Sequence, residues 1–172
     1  MSDAFPTLDV TALLAENHRR AVAMGRKQLL VLISAQNCPG CDVLDQQLHR
    51  ADVRHRLGGA VYVEKIDAGD FLGDAARRIR VGAWTLESPG FPTAWLWALE
   101  PDGLAFVALQ LGPLDARDQA AALDALLRGE SQVVEEARGV RALACCGALC
   151  LPLDSGNGFR AALSIRIPGQ ST

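Results

Sequence analysis

Two cysteines, Cys38 and Cys41, stand two residues apart with Pro39 and Gly40 between them. Such a pair can ligate a metal, close a structural crosslink, or exchange electrons with another thiol. It follows an apolar run, QLLVLIS at 28–34, and precedes an amphipathic stretch, CDVLDQQLHRADVRHRL at 41–57. This order predicts a buried strand, then Cys38 at the mouth of a helix. Pro39 takes the first helical position, where a missing N–H costs nothing. The Cys38 sulfur then meets the unpaired N–H groups and the positive end of that helix. The setting favours the thiolate, which is the nucleophile in disulfide exchange. Cys41, one turn later, is expected to be the covered thiol that resolves a mixed disulfide on Cys38.

The other chemistries fit less well. A structural zinc site takes about four ligands; the pair supplies two, and Cys145, Cys146 and Cys150 would have to complete it. A crosslink over so short a loop stabilises little. Five cysteines cannot all pair within one chain, which argues against an extracellular disulfide framework. A reducing cytosol keeps idle thiols reduced and leaves the close pair free to cycle. Cys145, Cys146 and Cys150 lie in the apolar stretch LACCGALCLPL and are expected to pack as small hydrophobes. A Cys146–Cys150 bridge, or a relay to Cys38, is the alternative. His18, His49 and His55 fall on predicted helices and are taken as surface or packing residues.

The elements that must position the pair follow from periodicity. Helical spacing predicts a helix over 7–26, capped by Thr7 or Asp9 and stopped at Gly25. One helix over 41–57 follows the cysteines, then a strand at 60–67 and another helix at 70–80 with Arg77, Arg78 and Arg80 outward. Strands at 92–100 and 104–112 flank the turn Pro101–Gly103. Trp95 and Trp97 should share one sheet face. Residues 115–128 form an amphipathic helix between Asp115 and Gly129. This alternation is that of an α/β fold in three layers. Residues 130–172 fall outside the pattern. A turn at 153–158 and a strand at 159–167 suit an appended hairpin or helix plus strand.

A net charge of -3, with 22% charged and 49% hydrophobic residues in a 172-residue chain, fits one globular domain with an elaboration. No basic face for nucleic acid is evident. No apolar run reaches the roughly 20 residues a membrane span needs, and no secretory leader pattern opens the chain. The expectation is a soluble, cytoplasmic protein without nucleic-acid or membrane partners.

The strand LLVLIS, CPGC opening a helix, GFPT heading a strand–turn–strand with PDG, and Gly112 beyond it together resemble the thioredoxin superfamily over about residues 7–128. The resemblance implies a cis bond before Pro92, with Pro92 against the cysteines and the Phe91 backbone offered to an extended substrate. It departs from thioredoxin in four places. The motif is CPGC, not CGPC; Asn37 replaces a tryptophan; Leu32 replaces a buried acid that helps move the second cysteine's proton. AWTLESPG, 83–90, looks like an insertion from which Trp84 reaches the site.

The expected fold is therefore a thioredoxin-like three-layer α/β/α sandwich with a mixed central sheet. Residues 1–129 form the domain and 130–172 an extension packed on or beside it. The expected activity is thiol–disulfide oxidoreduction through Cys38 and Cys41, with Phe91, Pro92 and Trp84 binding substrate and Pro39, Gly40 and Gly112 supporting the motif. Its partners would be a protein or small-molecule disulfide or dithiol and an electron donor or acceptor, without metal or organic cofactor. The alternatives are a non-catalytic binding module with 130–172 as its interface, and a metal-binding protein using the same cysteines.

Overall fold

The structure is a computed structural model, and it describes residues 6–87, 91–112, 114–133, 143–152 and 166–168. Its centre is β2, Gln28–Gln36, an apolar strand buried on both faces. β3 (Val61–Asp70) pairs with it in parallel, and β6 (Thr93–Glu100) pairs on its other side, antiparallel. β7 (Gly103–Leu111) returns beside β6. Because strand side chains alternate between faces, β2 splits its residues between two cores. Leu29, Val31 and Ile33 join Trp95 and Trp97 on one face, while Leu30 and Leu32 join Ala94 and Leu96 on the other. The two tryptophans share a face as expected and meet edge to face, with centroids 6.0 Å apart.

Helix α1 (Thr11–Ala23) contributes Leu14 to the tryptophan face. Three further helices bury residues against the opposite face: α2 (Pro39–Leu48), α3 (Ala51–Leu57) and α4 (Ala116–Leu127). The single helix expected over 41–57 is thus two. At 100° per residue, Val53 on an unbroken helix would point about 180° away from Leu44. Both are buried in the same cluster. The chain turns at His49 and Arg50 so that both can face the sheet. α4 matches its expectation: the Asp115 carboxylate accepts from the Asp118 N–H at 2.8 Å, capping the helix. Gln119 on α4 and Gln110 on β7 exchange amide hydrogen bonds at 2.9 and 3.0 Å in full burial.

A second mixed sheet was not anticipated. It runs β1 (Thr7–Asp9), β4 (Arg78–Val81), β5 (Trp84–Glu87), β9 (Leu143–Cys146) and β10 (Leu149–Pro152). Three expectations change with it. The first helix begins at Thr11, because residues 7–9 pair in parallel with Arg78–Arg80. The helix expected over 70–80 is absent: the chain turns after β3 and enters β4. Ile79 and Val81 are buried while Arg80 is exposed, the two-residue period of a strand. Part of the segment taken as an insertion at 83–90 is β5, whose Leu86 is buried in the first core.

The C-terminal segment contributes to both sheets. β9 extends the second sheet from β5, whereas β8 (Gln132–Val133) and β11 (Arg166–Pro168) both pair with β7. The turn expected at 153–158 and most of the strand expected at 159–167 lie outside the described residues. The described chain is a mixed α/β protein with two mixed sheets and four helices. No described helix is long and apolar enough to cross a membrane.

Candidate functional site

Cys38 is the N-cap of α2, in extended conformation, and Pro39 opens the helix. The Cys38 sulfur accepts a hydrogen bond from the Cys41 N–H at 3.1 Å. Serine or aspartate oxygens usually satisfy that orphan donor. Cys38 and Cys41 form a disulfide, with Cα atoms 5.3 Å apart. Burial does not divide them as expected. Both are covered, Cys38 at 3% exposure and Cys41 at 8%. Both belong to the core cluster that also holds Phe91.

The approach to Cys38 is pinned from β3. Asn37 has φ of 56°, the left-handed region that asparagine tolerates better than most residues. Its amide donates to the Asp70 carboxylate at 3.0 Å, and the preceding Gln36 amide donates to Asp67 at 3.1 Å. The Asn37 bond, then the Leu72 N–H, holds the Asp70 carboxyl below its ordinary range. For Asp67 the Gly69 N–H is the larger cause and Gln36 the next. Gly69 has φ of +111°, and a Cβ there would stand 3.1 Å from Ala75 Cα, so the sharp turn after β3 requires glycine. Asn37, an unexplained departure at the sequence level, is thus a tie between the two central strands.

The Phe91–Pro92 peptide is cis, and the Pro92 carbonyl accepts from the Gly112 N–H at 3.1 Å. Gly112 has φ of 95°. Pro92 and Cys41 line the same small pocket, along with Leu32, Ser34, Leu44, Asp45, Leu48 and Lys65. The Phe91 ring is buried, edge to face with Phe71 at 6.4 Å. Arg77 was expected on the solvent face of a helix. Instead its guanidinium lies 5.2 Å from the Phe71 ring centre and 5.7 Å from that of Phe91. Trp84 packs half-buried against the core cluster that includes both cysteines.

A cleft of about 370 Å³ opens beside Cys41, lined by Ser34, Gln36, Asp42, Asp45, Lys65 and Asp67 among others. Leu32 is paired across the strands with Lys65. Leu32 itself is buried among apolar side chains. The Lys65 ammonium donates to Asp45 at 3.1 Å, one helical turn after Cys41. Charge therefore differs at the two sulfurs. An anion at Cys38 meets the N-terminal amides of α2, whereas one at Cys41 would stand near three carboxylates and one ammonium group.

The distal cysteines correct the packing expectation. Cys145 and Cys150 form a second disulfide across β9 and β10, with Cα atoms 4.1 Å apart. Cys146 alone is free, and it is partly buried. The signal was Gly147–Ala148, a two-residue loop with glycine at its first position and φ of 60°. This is the preference of a type II′ hairpin. Such a loop sets Cys145 opposite Cys150. Of the histidines, His49 and His55 are exposed. His18 is buried, with its Nε2–H donating to the Glu100 carbonyl at 2.7 Å.

Among the described residues no three His, Cys, Asp or Glu side chains converge as metal ligands. No protein-family model matches the chain, and no curated protein sequence matches it.

Proposed function

We propose that the chain is a thiol–disulfide oxidoreductase of the thioredoxin superfamily, with the three-layer α/β/α arrangement of that fold around β2, β3, β6 and β7. One observation carries the reading: the Cys38 sulfur caps a helix and is bonded to Cys41 one turn on, and Cys41 shares its pocket wall with a cis-proline. In the reduced state the Cys38 thiolate attacks one sulfur of a substrate disulfide and expels the other as a thiolate, which takes a proton. Cys41 loses its proton and attacks Cys38 in the mixed disulfide. The second substrate thiol leaves, and the Cys38–Cys41 disulfide remains. Two electrons have passed to the substrate, and a dithiol of the same class must return them. Run backwards, the same steps oxidise a dithiol.

Role assignment rests on charge more than on exposure. The α2 amides favour the anion at Cys38 and the carboxylates around the cleft oppose one at Cys41. Pro92 and the Phe91 backbone present the substrate chain. The test is equilibration of the pair against glutathione and dithiothreitol buffers, followed by single-turnover exchange with a peptide disulfide. Exchange through a Cys38 mixed disulfide that accumulates in Cys41→Ser supports the assignment. A pair that stays closed throughout, or an adduct on Cys41 alone, overturns it.

A second reading has a specific observation in its favour. Both sulfurs are nearly covered, and the position of the assisting acid is the buried Leu32. A non-catalytic binding module would tolerate both features, and it predicts the closed outcome of the same test.

A further inference from the structure

The Cys145–Cys150 disulfide has an environment unlike that of Cys38–Cys41. In the second sheet Cys145 stands opposite Thr85, Thr85 opposite Arg80, and Arg80 opposite Asp9. Paired residues share a sheet face, so the disulfide belongs to this row. Asp9, Arg80 and Cys150 are exposed, and Thr85 and Cys145 are partly so. The adjacent row, Ile79, Leu86 and Ala144, is buried. The bridge is therefore on the solvent side of the sheet, and Ala144 makes the core contact of β9. Successive residues point to opposite faces, so the free thiol of Cys146 is on the core side of the strand.

This bridge has little structural work to do. Its loop spans five positions, and the Gly147–Ala148 turn with its ladder already brings the two strands together. Loop-closure entropy is smallest for short loops. An exposed disulfide is more labile than a covered one of otherwise similar setting.

We propose that Cys145–Cys150 is a second thiol-exchange site, open to small monothiols of the glutathione class, with Cys150 as the attacked sulfur. The incoming thiolate bonds to Cys150 Sγ and displaces Cys145 Sγ, which takes up a proton. A second monothiol attacks the outer sulfur of the mixed disulfide and leaves as the oxidised dimer. Cys150 is released as a thiol. Two monothiols are oxidised, one protein disulfide is reduced, and two protons end on Cys145 and Cys150. No cleft is needed, since the sulfur faces solvent, so the site suits a small reductant better than a protein one. The proposal does not rest on the activity assigned to Cys38 and Cys41.

The test uses the full chain under native conditions, with reduced glutathione as probe. Alkylation and peptide mass analysis follow each cysteine separately, in the wild-type chain and in the Cys38→Ser/Cys41→Ser variant. The expected result is opening of Cys145–Cys150 at a rate about proportional to glutathione, so that a tenfold rise in thiol gives about a tenfold rise in rate. A glutathione adduct on Cys150 should precede the free pair. A rate independent of glutathione, or opening in denaturant alone, makes the bridge structural and overturns the proposal. An adduct confined to Cys145 overturns the choice of attacked sulfur. Failure at Cys38–Cys41 is scored on a different peptide and leaves this outcome untouched.

Discussion

The two disulfides form a natural experiment within one chain. Cys38–Cys41 joins residues three apart at a helix mouth, in a wall of buried side chains beside a cis-proline. Cys145–Cys150 joins residues five apart across a hairpin, on a solvent-facing sheet row. The first has little exposure but a built electrostatic setting: helix amides at one sulfur and carboxylates near the other. The second has exposure and lies on a strand ladder rather than at a helix start. A disulfide's reactivity depends both on access and on which sulfur can hold a negative charge. Here the two requirements are separated onto two bridges.

The largest expected effect tests that separation directly. Cys38→Ser should reduce exchange with a peptide disulfide to the uncatalysed background. Cys145→Ser/Cys150→Ser should leave it unchanged. Equal losses from both variants would mean that the bridges act as one relay and that access and charge are not separated between them. The measurement is the rate of peptide-disulfide reduction by pre-reduced protein.

Next come the supports. Leu44, buried beneath α2, and Ile79, buried beneath the second sheet, anchor the two regions. Either change to alanine should cost about 2–5 kcal/mol in urea unfolding. Only Leu44→Ala should also slow exchange at Cys38, because Leu44 holds the helix whose amides face that sulfur. A smaller effect is expected at Gly147. Nothing lies within 4 Å of a Cβ built there, so the cost of Gly147→Ala is conformational. A left-handed φ should destabilise by about 1–2 kcal/mol and slow reoxidation of Cys145 with Cys150. Cys38–Cys41 should reoxidise as before.

The smallest effect concerns pH. Asp70 is held below its ordinary pKa by Asn37 first and the Leu72 N–H second. A depressed carboxylate stabilises the fold above its unfolded pKa, about 3.9 for aspartate. That contribution disappears as pH falls through the folded value. Acid should therefore loosen the tie between Asn37 and β3 before the hairpin responds. Asp70→Asn should flatten the acid limb of stability measured by urea titration. An unchanged limb would show that Asp70 carries no linkage.

Some of this was legible in residues 28–42 and 92–128, where each element is set by neighbours in sequence. Cys38 followed by Pro39 determines a helix start, because proline suits only the first turn. Trp95 and Trp97 alternate with Ala94 and Leu96 and so share a face, because strand side chains have period two. Asp115 caps α4 because its carboxylate reaches an N–H three residues on. The cis bond at Pro92 was implied by resemblance, not by the residues alone. Other features depended on contacts between distant segments. Residues 51–57 carry a helical pattern, but the sheet must bury Leu44 and Val53 on one side, and this splits the helix. RIRV at 78–81 alternates as a strand within a stretch of helical composition, and pairing with residues 7–9 and 84–87 decides the matter. Cys145 and Cys150 looked like packing residues in an apolar run. The pairing of β9 with β5 turned that run so that Ala144 faces the core and the disulfide lies on the opposite side of the sheet, Cys150 exposed and Cys145 partly so. Local hydrogen bonds and sterics act over about four residues and can be inferred from order alone. Which face of a strand is covered is set only when another part of the chain arrives.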